Sequence, residues 1–208
     1  MNQRRSHTGR RRNEAARRAI LDAAVALLGA ADGTPVTIDT VAAAAGVGKQ
    51  TIYRWWPSKG AVLLDALAER AAAEIVPPDT GDLAADLAAF VRATFETARR
   101  PGTLAALRGT MAEALRDAHA GELMRAFAER RRAALRAVLD AARARGEIRA
   151  DADLELAADQ VFGVLWYRCL VGHAELDAAS ADRLAAAVAA QLRPVSAGGG
   201  PGTGTVAP

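Results

Sequence analysis

The sequence predicts an almost entirely α-helical protein, and three observations carry that prediction. Hydrophobic residues make up 51% of the 208, but much of this is alanine, and only nine residues are aromatic. Alanine, leucine, arginine and glutamate lose little conformational freedom in a helix, so this composition favours helices over strands. Apolar residues recur at helical spacing in one segment after another. Between those segments stand glycine and proline breaks, and a chain of this length can bury a real core as one or two units.

Each element can be justified in order. The first dozen residues, MNQRRSHTGRRR, lack an apolar pattern and are expected to form a flexible basic arm (1–12). From Asn13 to about Leu28, Ala16, Ile20, Leu27 and Leu28 mark a first helix, which Gly29 and the GAADGTP loop stop. Thr37 is placed to cap a short helix, IDTVAAAA, whose buried side holds Ile38, Val41, Ala42 and Ala45. Gly46-Val47-Gly48 breaks it, and a second short helix runs from Lys49 to about Trp56. Pro57 disfavours helical geometry at Trp56, and Ser58 then caps a longer helix to about Val76. Pro77-Pro78 closes that helix and marks the domain boundary.

Beyond the boundary, helices are predicted over about 81–99, from Pro101-Gly102 to near Ala118, over 121–145, over 153–171 and over 180–192. Gly146 is a natural end for the third of these, and its arginine run at 130–132 is read as a solvated face. The segment VFGVLWY, 161–167, is apolar on nearly every side apart from the following Arg168, so its helix must be covered from more than one direction. The organisation expected is an arm (1–12), a first helical domain at 13–76 that includes the connecting helix 58–76, a second helical domain at 79–193, and a disordered tail at 194–208 rich in glycine.

Charge separates the two ends. Residues 1–76 hold 11 basic and 7 acidic side chains, whereas the remaining 132 hold 16 and 17. Positive charge confined to one end suits a polyanionic partner. A single cysteine, Cys169, excludes an internal disulfide framework and suits a reducing cytoplasm. No apolar run approaches the roughly 20 residues of a membrane span, so a cytoplasmic protein without membrane contact is expected. The metalloprotease, serine-hydrolase and phosphate-loop motifs are missing, and GGGPGTG near the C-terminus has no strand before it. His119 and His173 stand alone, so no metal and no cofactor is expected. An enzyme or an interaction scaffold with a basic arm is the alternative to a DNA-binding protein.

The stretch KQTIYRWWPSKG, 49–60, gathers Tyr53, Trp55 and Trp56 around Arg54. Two short helices joined by a glycine turn form a helix-turn-helix pattern. With Ile52 inward, Gln50 and Arg54 lie opposite it, Thr51 and Tyr53 flank that outward face, Trp56 returns to the core and Trp55 lies on the margin. Glutamine can pair with adenine, arginine with guanine, and hydroxyls reach bases or phosphates. Lys49 and Lys59 stand where backbone phosphates would pass.

TIDTVAAAAGVGKQTIYRWWPSKGAVLLDAL, 37–67, resembles the DNA-binding signature of TetR-type repressors, and the match extends from about Arg17. The segment from Arg132 to Leu176 is similar to the C-terminal domain of a subgroup common in high-GC bacteria. The resemblance implies a nine-helix protomer, a homodimer on a palindromic operator, and operator binding controlled by a small-molecule effector. By position it makes Lys49, Gln50, Thr51, Tyr53, Arg54 and Trp55 DNA-facing, with Tyr53, Thr37 and Lys59 on phosphate. Gly48 stands where members often have serine, which removes a side-chain cap.

The same resemblance implies a ligand cavity among the helices after Pro78 and a dimer made mainly by the last two helices. Phe90, Phe95, Met111, Phe127, Phe162, Trp166, Tyr167 and Arg168 are the pocket candidates, although large apolar residues at helical spacing more often bury as plain core. Arg168 could meet an anionic effector, or pair with Asp159 or Glu175. Leu165, Leu170, Leu184, Val188 and Leu192 are the interface candidates.

Overall fold

The computed structural model describes residues 4–29 and 36–194, with side chains from residue 13 onward. Among the described residues there are helices and no strands. α1 (Arg4–Gly29), α2 (Ile38–Ala45) and α3 (Lys49–Tyr53) lead into the long α4 (Lys59–Glu74). Then come α5 (Leu83–Arg99), α6 (Pro101–Ala114), α7 (Ala118–Ala144), α8 (Leu154–Val171) and α9 (Ala178–Leu192). Among the described residues no helix is long and apolar enough to cross a membrane.

α1 begins at Arg4 and not at Asn13, so part of the expected flexible arm is helical backbone. Arginine is a good helix former, and extending an existing helix is far easier than nucleating one. Residues 1–3, the loop at 30–35 and the tail at 195–208 lie outside the described residues.

Several helix starts differ from expectation for one shared reason, an aspartate cap. Asp82, Asp117 and Asp177 accept from Ala85 N (2.7 Å), Ala120 N (2.8 Å) and Ser180 N (2.7 Å). α5 therefore begins at Leu83, α7 at Ala118 and α9 at Ala178. Each carboxylate satisfies an orphan donor and complements the positive end of its helix. α6 ends at Ala114, four residues before the end read from sequence.

α1, α2, α3 and the first half of α4 pack as one group around Ile20, Leu21, Ile52 and Trp56. α5 lies along α9, α6 along α7, and α4 reaches both groups by packing on α1, α6 and α7. One apolar cluster runs without interruption from Ile20 to Leu192. Gly102 brings α6 against the end of α1 so closely that a Cβ there would lie 2.6 Å from the Leu28 carbonyl oxygen.

A charged network locks the far end of the bundle. Asp86, 1% exposed, accepts from Thr80 N (2.8 Å), Thr80 Oγ1 (2.7 Å) and Arg145 Nη2 (3.1 Å). Arg145 also pairs with Asp79 and Glu147, and Glu147 accepts from Leu83 N at 2.6 Å. The buried carboxylate is thus fully partnered, as a charge in that position must be.

Candidate DNA-binding face and effector cavity

The helix-turn-helix is built from local capping chemistry. Thr37 Oγ1 accepts from Thr40 N (3.1 Å) while Thr40 Oγ1 accepts from Thr37 N (2.9 Å), so both hydroxyls are committed to the start of α2. Gly46 ends α2 at φ +65°, a left-handed conformation suited to glycine. Gly48 precedes α3 and supplies no side-chain cap. α3 itself stops at Tyr53, three residues short of the expected Trp56. The chain continues in a tighter turn, with Trp55 N and Trp56 N both donating to Ile52 O.

Ile52 and Trp56 are buried, and Gln50, Tyr53 and Arg54 are exposed, Tyr53 at 52%. Thr51 is half-buried beside them, and Lys49 and Lys59 are exposed at the two ends. Lys49 Nζ lies 2.5 Å from Asp39 Oδ1, and hydrogen bonding to that carboxylate raises the lysine above its ordinary pKa. Trp55 departs from the DNA-facing assignment made by position. It is half-buried, its indole N–H is buried without a partner, and the Arg17 guanidinium stands 6.0 Å from its ring and 5.6 Å from that of Trp56. The side chain is held against α1 by stacking, which leaves little of it to offer a groove.

A second feature opens between α4 and the later helices. A cavity of about 410 Å³ is walled by Leu67 and Ala71 of α4, Ile75 just past its end, Thr94 and Thr97 of α5, and Thr103 and Leu107 of α6. Phe127 and Arg131 of α7 and Phe162, Leu165 and Trp166 of α8 complete it. Its mouth lies by Asp159 and Gly163, which are exposed.

Of the predicted pocket residues, Phe127, Phe162 and Trp166 line this cavity and five do not. Phe90 is buried one layer behind, 5.5 Å beneath the Arg131 guanidinium. Phe95 is core on another side of α5, and Met111 is half-buried at the edge of the core. Tyr167 points outward, 59% exposed, with its ring 4.4 Å from that of His173. Arg168 lines a separate surface groove and donates to the Glu175 backbone carbonyl at 2.6 Å, so it pairs with neither carboxylate considered for it. α8 turns once in 3.6 residues, so neighbours 166, 167 and 168 cannot share one wall.

The interface candidates also divide. Leu165 is buried on the cavity wall, and Val188 and Leu192 are buried within the protomer, where α9 packs on α5. Leu170 is exposed and Leu184 half-buried. Exposed apolar residues on α8 are instead Leu156, Tyr167, Leu170 and Val171, which share one side of the helix. Cys169 is buried and its thiol is pushed up to about 11, first by burial, which fits an inert side chain.

The arginine run contradicts its reading as a solvated face. Arg130 pairs with Asp65 of α4 at 3.2 Å, Arg132 pairs with Asp159 and Glu155 of α8, and Arg131 is buried at 8% exposure. The signal was present: Met124, Phe127, Arg131, Leu135, Val138 and Ala142 form one stripe at three- and four-residue spacing, with the arginine inside it.

Comparison with known proteins agrees with this architecture. Residues 20–72 match the family described as bacterial regulatory proteins, tetR family. Residues 77–188 match the family described as tetracyclin repressor-like, C-terminal domain. The uncharacterized HTH-type transcriptional regulator YdeS of Bacillus subtilis is 34% identical over 168 residues, covering 80% of this chain and 84% of that protein. The HTH-type transcriptional regulator AqdR of Rhodococcus erythropolis is 31% identical, covering 76% and 78%. The crystal structure of the TetR family transcription regulator SCO0332 superposes with a TM-score of 0.76 at 33% identity, covering 86% of this chain and 99% of that one. With both halves matched in order, the chain belongs to the TetR family of helix-turn-helix transcriptional regulators.

Proposed function

We propose that the protein is a homodimeric repressor whose operator binding is released by a small-molecule effector. One observation carries the reading: a single helix, α4, starts at Lys59 beside the exposed face of Gln50, Tyr53 and Arg54 and ends as a wall of the cavity through Leu67, Ala71 and, just past its end, Ile75. Gln50 and Arg54 are the base-reading side chains, Thr51 reaches bases or phosphates, and Lys49, Tyr53, Lys59 and Thr37 lie along the phosphates. Thr37 would contribute with a hydroxyl already engaged in its cap.

The dimer supports this use of the face, because two recognition helices must span half-sites about one helical turn, or a multiple, apart. The exposed stripe of Leu156, Tyr167, Leu170 and Val171 on α8 is the surface that supports pairing. An effector in the cavity shifts α4, changes the spacing of the two α3 helices and favours the state that cannot bind operator. Arg4, Arg5 and Arg10 to Arg12 add positive charge to the end of the chain that carries the helix-turn-helix, so deleting 1–12 weakens binding and lowers its salt slope.

The test is a gel shift against the intergenic DNA upstream of the protein's own gene, wild type beside Tyr53→Ala. Specific binding by the wild type, weakened at least about tenfold in the variant, is the expected result. Absence of specific binding at any salt concentration contradicts the reading.

A further inference from the structure

The cavity that the proposed function assigns to an effector is apolar along most of its wall, yet two of its polar groups have no partner. Arg131 is 8% exposed, and its Nη2 makes no hydrogen bond. Thr103 is 2% exposed, and its Oγ1 makes none either. The other threonines on the wall are satisfied: Thr94 donates to Phe90 O at 2.8 Å and Thr97 to Glu74 Oε2 at 3.0 Å. Arg132, at the mouth, has its charge matched by Asp159 and Glu155. Arg131 differs from its two neighbours in having no carboxylate opposite it among the described residues. It stands over the face of Phe90.

From this arrangement we infer that the effector is a compact apolar molecule bearing one anionic head, a carboxylate or a group of similar geometry, held by Arg131 and Thr103. A guanidinium buried without a counterion is costly, and a neutral apolar occupant would leave that cost unrelieved. A cation would be repelled. An anion gains a planar, two-donor partner with its charge already desolvated. Burial lowers the Arg131 guanidinium to about 10, so it is still charged near neutral pH. Of the two guanidinium groups on the wall only that of Arg131 is unmatched among the described residues, so one negative charge suits the site. Asp159 at the mouth disfavours a second. The body of the ligand lies against Leu107, Phe127, Phe162 and Trp166, in a volume at the small end of drug-sized sites.

The inference rests on reading this cavity as a ligand site, and the test separates the two. Full-length protein without DNA is titrated calorimetrically with two matched pairs: 2-naphthoate against 2-naphthamide, and decanoate against decanamide. In at least one pair the acid binds about tenfold or more tightly than its amide. Arg131→Gln lowers affinity for the acid by about the same factor and leaves the amide within about threefold, while Arg131→Lys keeps part of the preference. A thermal melt shows that both variants are folded. Equal binding of acid and amide in both pairs, or a preference that survives in Arg131→Gln, overturns the anionic inference and leaves the cavity as a ligand site. No binding by any of the four compounds overturns both.

Discussion

The indole N–H of Trp56 donates to the carboxylate of Asp65 at 2.9 Å, which ties the turn after α3 to the middle of α4. The same carboxylate meets Arg130 of α7 at 3.2 Å and Arg17 of α1 at 3.8 Å. Asp65 is therefore the point where the DNA-facing group and the cavity-bearing group share one charge. The adjacent residue to Arg130 lines the cavity, so a change at Arg131 has only one residue to cross before it reaches this junction.

Asp65→Ala leaves a buried indole N–H and two guanidinium groups without their acceptor. A loss of about 1–3 kcal/mol in urea unfolding is expected. Trp56→Phe removes donor and hydrogen bond together, and its cost should lie below that of Asp65→Ala after allowance for the smaller ring.

Lys49 is held by Asp39 in the protein alone, so it must leave that carboxylate to reach a phosphate. Asp39→Asn frees it and removes a negative charge from the proposed DNA-binding face. Operator affinity should rise about threefold or more at low salt, with a steeper dependence of log affinity on log salt. Fluorescence anisotropy over a potassium chloride series reads both quantities. Unchanged affinity and slope would mean that the Asp39 pair does not hold Lys49 back from any phosphate.

Gly102 holds α6 to α1 by having no side chain. A Cβ would sit 2.6 Å from Leu28 O, 3.0 Å from Leu28 C and 3.1 Å from Leu28 Cα, all backbone atoms that cannot rotate aside. Gly102→Ala is expected to cost about 1–3 kcal/mol of stability. Gly109 on the same helix has open space around its Cβ position, so Gly109→Ala should be stabilising by up to about 1 kcal/mol. Parallel denaturation curves compare the two.

Glu74 ends α4 beside the cavity. Burial pushes its carboxyl up, but hydrogen bonds from Arg100, Thr97 and Arg70 together outweigh it and hold the group below the ordinary glutamate value. The unfolded chain therefore binds this proton more readily than the folded one. The contribution is present above the unfolded value near 4.5 and is lost as pH falls through the lower folded one. Melting temperatures below pH 5 should fall less steeply for Glu74→Gln than for the wild type.

Three boundaries of the helix-turn-helix were legible because each is written by a residue with one physical use: Thr37 as a cap, Gly46 at positive φ and Ser58 as the start of α4, whereas the end of α3 at Tyr53 comes before the proline that was read as its stop. The cavity was only half legible. Phe127, Phe162 and Trp166 stand out by size, but Thr103 is small and sits beside a Pro101-Gly102 pair that reads as a break. Arg131 was hidden by its neighbours, since a triple arginine suggests solvent unless its place in the apolar stripe of α7 is counted. Val188 and Leu192 were read as interface candidates and are buried within the protomer, because a helical stripe says that a face is covered, and not by which chain.

Selection of binding sites from random duplex DNA by the wild-type protein tests the central claim most directly, since it needs neither a known operator nor a known effector. The account predicts enrichment of a palindrome whose half-sites are separated by about one helical turn or a multiple of it, and loss of that enrichment with Tyr53→Ala and Arg54→Ala. Failure of the folded wild type to enrich any sequence, or enrichment that both variants retain in full, would contradict it.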